Sequence, residues 1–138
     1  DRKGTLMKHI LKIVRVYELK ADPQGYRVLV DRLWPRGLRK ETLRLDRWAK
    51  EAAPTPDLRK WFGHAEERFE AFKSLYRAEL DGSPDANAFA RDMAEILKKQ
   101  DVLLLYAAKS PTCNHAAVLR DWLTDQIQAC CPKGDTNP

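Results

Sequence analysis

Two short apolar runs stand out in this chain, while much of the remainder carries apolar residues at helical spacing. The first is RVLVDRLWPRG (residues 27–37), where Val28, Leu29, Val30 and Leu33 form a short apolar run. The second is DVLLLYAA (residues 101–108). Short runs without alternation predict strands buried on both faces. A further strand is predicted over residues 13–19 (IVRVYEL), where Arg15 and Tyr17 alternate with Val14 and Val16. Helical spacing marks three other segments. Phe69, Phe72, Leu75/Tyr76 and Leu80 recur within residues 64–81. Phe89, Ala90, Met93, Ile96 and Leu97 follow, and Val118, Leu119, Trp122, Leu123 and Ile127 line a final helix over 114–128.

Punctuation between these segments is clear. Asp22-Pro23-Gln24-Gly25 is a turn signal. Thr55-Pro56-Asp57 has the composition of a helix start, with Thr55 as cap, and Gly63 is a stop for the helix 56–62. Asp81-Gly82-Ser83-Pro84 separates two helices. Residues 38–53 predict a short helix over 38–43, then an extended segment ending at Ala53-Pro54. Strands separated by helices imply an α/β fold, a small single-domain, mostly parallel sheet flanked by helices. The expected division is an extension and lead-in over 1–12, one domain over 13–128 and a flexible tail over 129–138. Residues 1–6 precede Met7 and are left out of the fold reading.

Composition narrows the class. Of 138 residues, 43% are hydrophobic and 33% charged, which fits a globular chain and excludes a disordered one. No apolar run approaches the ~20 residues needed to cross a bilayer, so no membrane partner is expected. The start lacks a signal-peptide core. Three cysteines, Cys113, Cys130 and Cys131, suit neither a disulfide framework nor a zinc pattern, so a cytoplasmic location is expected and no metal. The net charge of +5 is uneven: residues 1–61 carry +8 and residues 62–138 carry −3. That asymmetry predicts a basic face, attractive to phosphorylated metabolites or nucleic acid.

Candidate chemistry gathers where the apolar runs end. Pro35 forces Trp34 toward an extended conformation and Gly37 permits a turn, placing Asp31, Arg32, Trp34 and Arg36 at one strand's carboxyl end. That edge is where open α/β sheets bind ligands. An Asp–Arg ion pair beside a core Trp is the plain alternative. The second run ends in Lys109, and a helix starts directly afterwards at Asn114-His115, which offers unpaired N–H groups and a positive dipole end. His115 there is a candidate general acid or base, and Asn114 an N-cap. Lys50 and Arg59 would reach the same edge from neighbouring segments. Cys113 is a poor nucleophile candidate, because a Cys-x5-Arg loop would need arginine where Leu119 stands. No glycine-rich nucleotide loop, metalloprotease helix or nucleophile elbow occurs, and the residues specify no cofactor.

These pieces carry a resemblance. The segment VYELKADPQGYRVLVDRLWPRGLRKETLRLDRWAKEAAPTPDLRKWFGH, with FKSLYRAEL and VLLLYAAKSPTCNHAAVLRDWL, resembles the YeaO-like branch of the domain-of-unknown-function-488 family from about Val14 to Leu123. The positions matching its motifs are Arg15, Tyr17, Asp31, Arg32, Trp34, Pro35, Arg36, Gly37, Trp48, Lys50, Pro54, Leu58, Arg59, Phe62, Tyr106, Lys109, Asn114 and His115. The resemblance implies a small bacterial or archaeal protein and no defined activity. Longer relatives carry Cys-His-Arg where this chain has Asn114-His115-Ala116.

The expectation is a basic pocket at the strand carboxyl ends that takes a small phosphorylated or carboxylated ligand such as a nucleotide. Arg32, Arg36, Lys50, Arg59, Lys109 and Asn114 would bind, Trp34 would stack, and Asp31 and His115 would be the catalytic candidates. Two other readings stand beside it: a nucleic-acid-binding or base-acting protein, and a non-catalytic interaction module. Whether the chain is an enzyme, and its oligomeric state, are left open by the sequence.

Overall fold

The computed structural model describes residues 9–18, 25–63, 65–109 and 114–130. Four strands form one sheet: β1 (Leu11–Arg15), β2 (Tyr26–Leu29), β3 (Arg47–Trp48) and β4 (Val102–Tyr106), in the order β1-β4-β2-β3. Every pairing is parallel. Five helices accompany it: α1 (Lys40–Leu43), α2 (Pro56–Phe62), α3 (Phe69–Asp81), α4 (Pro84–Ile96) and α5 (His115–Cys130). The protein is a small α/β fold. The turn at residues 22–24, His64, the loop 110–113 with Cys113, and residues 131–138 lie outside the described residues, as do residues 1–8.

Alternation along the strands sorts side chains into two cores. Val28, Val30, Val102, Leu104 and Tyr106 face the larger one, filled by residues of α2 to α5 such as Phe72, Tyr76, Phe89, Met93, Leu119 and Trp122. Leu29, Leu103 and Leu105 face the smaller one, covered by Leu43 of α1 and flanked by Trp34, Leu38, Leu45 and Trp48. The central strand β4 is buried at all five positions. An unbroken apolar run is the sequence signature of that two-sided burial.

Local signals account for the helix boundaries. Thr55 accepts a hydrogen bond from the Leu58 N–H, Pro56 occupies the first turn, and Gly63 closes α2 in the left-handed region with φ 51°. Ser83 caps α4 through the Ala86 N–H, and Asn114 caps α5 through the Ala117 N–H at 2.8 Å. The apolar faces of α4 and α5 are buried as their spacing predicts, apart from the partly buried Ile96.

Four expectations shift in detail. The first strand spans Leu11–Arg15 rather than 13–19, because the ladder with β4 ends at the Arg15–Tyr106 pair and Val16–Glu18 turns into a 3-10 helix. The second ends at Leu29, so Leu33 is 69% exposed instead of continuing an apolar strand. Leu75 points outward on α3, while Tyr76 takes the inward position. The segment after α1 is extended for only two residues, Arg47–Trp48, before a 3-10 turn at Lys50–Ala52.

Leu104→Ala in β4 is expected to cost about 2–5 kcal/mol through cavity formation. A urea titration should show a lowered midpoint with an unchanged slope. A change under 1 kcal/mol would contradict close packing at that position.

Candidate functional site

Because all strands run parallel, their carboxyl ends share one edge. Leu29 lies opposite both Leu105 and Trp48, so the chain exits of β2, β4 and β3 are neighbours there. The exit from β2 leads into the smaller-core layer, while β4 leads to α5 on the opposite face. A crevice between adjacent strands whose connections leave on opposite faces is the standard ligand position of such sheets.

Side chains stitch this crevice. Val30 N–H still donates to the Leu105 carbonyl at 3.0 Å, and one residue later the Asp31 carboxylate takes over the ladder, its Oδ2 accepting the Ala107 N–H at 3.0 Å. His115 Nε2 lies 2.9 Å from the Val30 carbonyl and 3.0 Å from Asp31 Oδ1. Both are acceptors, so Nε2 bears the hydrogen. It is directed at the carbonyl; Asp31 Oδ1, fully buried, has the electrostatic contact but no aligned hydrogen bond. Tyr76 packs edge-on against the His115 ring with centroids 6.3 Å apart. The Tyr76 hydroxyl donates to the Ala52 carbonyl. Burial, reinforced by the charges of Glu79 and Asp31, holds that phenol well above the ordinary tyrosine range.

Above this floor opens a cleft of about 470 Å³. Asp31, Ala107, Ala108, Asn114 and His115 line it from the strand ends and α5. Pro54, Pro56, Arg59, Lys60, Phe62 and Phe72 line it from α2, its approach and α3. Phe62 and Phe72 stack at 4.3 Å and 16°, giving the cleft an apolar wall. Arg59 and Lys60 are exposed.

Of the residues singled out from sequence, Asp31, Arg59, Asn114 and His115 meet at this cleft. The others are placed elsewhere. Arg32 donates to the carbonyls of Ala53 and Pro54 at 3.2–3.3 Å, tying the β2 exit to the start of α2. Trp34 gives its indole N–H to the Leu38 carbonyl at 2.6 Å and packs edge-on against Trp48, in the smaller core. Lys50 sits over the Trp48 ring at 4.1 Å. Arg36 and Lys109 are exposed and do not line the cleft. Lys60 is not among the candidates, and Phe72, Pro56 and Pro54 read in sequence only as a helix face, a helix start and a motif position. Only the position of Lys60 beside Arg59 on a short helix pointed to it. Among the described residues no group of three or more His, Cys, Asp or Glu is placed to hold a metal, and no helix is long and apolar enough to cross a membrane.

Tyr76→Phe tests the floor. At neutral pH the variant should lose about 1 kcal/mol with the bond to the Ala52 carbonyl. The folded state holds the phenol protonated, a stabilisation present below the unfolded value near ~10 and lost as pH rises through the higher folded one. Tyr76→Phe lacks this term. Thermal melts should therefore show the gap between wild type and variant closing above about pH 10; a constant gap would contradict the burial of this hydroxyl.

Comparison with known proteins finds relatives of the chain. The chain is 47% identical to the uncharacterized protein YeaO of Escherichia coli K12 over 109 residues, 79% of this chain and 92% of the relative. It is 38% identical over 113 residues to the uncharacterized proteins Mb3100c of Mycobacterium bovis and Rv3073c of Mycobacterium tuberculosis, covering 82% of this chain and 92% of each. No solved structure matches the chain significantly. Residues 10–137 match the family described as the inactive DUF488-N3 subclade. With that match spanning nearly the whole sequence, the chain belongs to the DUF488-N3 group of the domain-of-unknown-function-488 family.

Proposed function

We propose that the cleft binds a small phosphorylated or carboxylated ligand and holds it without turnover. One observation carries this reading: Arg59 and Lys60 stand on one side of a 470 Å³ cleft whose other side is the N-terminal turn of α5, a 16-residue helix. Two cations and a helix N-terminus facing one space favour an anion. The stacked Phe62 and Phe72 favour an organic group attached to it. A nucleotide or another aromatic phosphate combines both features.

Binding rather than catalysis is supported by how the two acid/base candidates are engaged. Asp31 and His115 hold the sheet edge together, through Ala107 and the Val30 carbonyl. A group fixed by backbone partners is poorly placed to exchange protons with a ligand. The position of the Cys-His-Arg of longer relatives supports the same view. Here its last residue is Ala116, fully buried in the larger core. The description of the matching subclade as inactive agrees. A protein active in the cytoplasm would meet such metabolites freely, and we take that as its location.

Thermal shift and calorimetry with inorganic phosphate, adenosine monophosphate and a sugar phosphate test the reading. Arg59→Ala/Lys60→Ala should lose at least about tenfold in affinity for the best of these, as expected for removing charge-assisted contacts. Arg36→Ala, outside the cleft, should bind like wild type. If none of the three probes stabilises the wild type, or if the double variant binds unchanged, the reading fails.

A further inference from the structure

The motif Trp34-Pro35-Arg36-Gly37 is not used by the cleft. Trp34 is anchored inward and Pro35 is buried, while Gly37 takes φ 80° and turns the chain. What projects from this loop is Leu33 and Arg36, on the sheet face opposite α2 to α5. We propose that this layer is a binding surface for single-stranded nucleic acid, with Tyr17 as a base-stacking platform and Arg36, Arg39 and Lys40 as phosphate contacts.

Tyr17 is held like a platform. Its hydroxyl donates to the Arg36 carbonyl at 2.9 Å, and the Arg15 guanidinium lies 5.0 Å from the ring centroid. Arg15 is itself fixed, donating from Nε to the Ala108 carbonyl at 2.9 Å and lying 3.7 Å from Glu18. Yet Tyr17 is 45% exposed. A ring clamped at its hydroxyl and beside a guanidinium, but open to solvent, stacks on a base without rearranging, and stacking is tolerant of sequence.

Charge sits beside it. Arg36, Arg39 and Lys40 are exposed within five residues of chain, and among the described residues no acid pairs with them. Several cations elsewhere are neutralised instead: Arg47 by Glu51 and Asp92, Lys73 by Glu70, Arg77 by Asp125 and Lys98 by Glu95. Arg36, Arg39 and Lys40 are three of the cations in the basic first half of the chain. Unpaired cations around an exposed ring fit phosphates that alternate with bases. An acidic polypeptide would satisfy the cations and leave the ring unused. A duplex keeps its bases stacked internally and away from Tyr17.

The test is fluorescence anisotropy with a labelled oligothymidylate of about 12 nucleotides, within the range of such sites. Three phosphate contacts predict a loss of roughly twentyfold in affinity between about 50 and 200 mM salt. Arg36→Gln/Arg39→Gln/Lys40→Gln should bind at least about tenfold more weakly at low salt and show a flatter dependence. Tyr17→Leu should lose about fivefold or more while retaining its melting temperature. Arg59→Ala/Lys60→Ala should bind the oligonucleotide like wild type, which separates this surface from the cleft. Absence of binding at low salt, an unchanged triple variant, an unchanged Tyr17→Leu, or equal competition by polyglutamate would each overturn the proposal.

Discussion

Val102–Tyr106 has a strand on either side, a core on either face and all five positions buried; β2 is flanked in the same way, but its pairing with β3 spans only two residues. Its backbone sets the register of β1 and β2 at once: Leu104 lies opposite Ile13 on one side and Val28 on the other. Removing five apolar side chains from water contributes on the order of 1.5–3 kcal/mol each. Every position at the carboxyl edge is measured from this strand. Ala107 meets Asp31 and Ala108 meets Arg15 because the ladders on the two sides end one residue apart, at Leu105 and Tyr106.

That edge shows how polar groups are accommodated where a sheet stops. A strand that diverges leaves its neighbour's N–H without a carbonyl, and burying such a donor unpaired is costly. Asp31 solves this with a side chain, and His115 does the converse by giving Nε2–H to the Val30 carbonyl. Arg32 and Arg15 do the same for the carbonyls of Ala53, Pro54 and Ala108. Four residues with the look of a reactive constellation thus have direct structural duties, and the freely presented cations of the cleft come from α2 instead.

Much of the architecture was legible from local signals. Unbroken apolar runs located β2 and β4, and Thr55-Pro56, Gly63 and Ser83-Pro84 marked helix boundaries by side-chain capping and backbone geometry. Strand ends were harder, since Leu33 and Val16 are apolar whether or not the ladder reaches them. The exits of β2 and β4 converge only if the two runs are neighbours, a condition that their parallel pairing meets. Of the cations singled out from sequence, Arg59 alone lines the crevice. Arg32 and Arg36 are near Asp31 in sequence, but Arg32 is tied to the carbonyls of Ala53 and Pro54 while Arg36 is exposed away from the cleft. Lys60 and Phe72 arrive from helices whose docking no local pattern specifies.

The strand order has a consequence for how the molecule is assembled. β1 and β2 follow one another in sequence but are separated in space by β4, which begins at Val102. A nascent chain that has emerged only as far as α4 therefore holds two apolar strands with a vacant slot between them. Among the described residues β1 has no other sheet partner. Closing that slot requires contacts spanning some ninety residues (Leu11 with Val102), and non-local pairing of this kind slows folding. Until the last third of the polypeptide leaves the ribosome, its earlier strands are exposed edges, so the chain is most vulnerable to aggregation during its own synthesis.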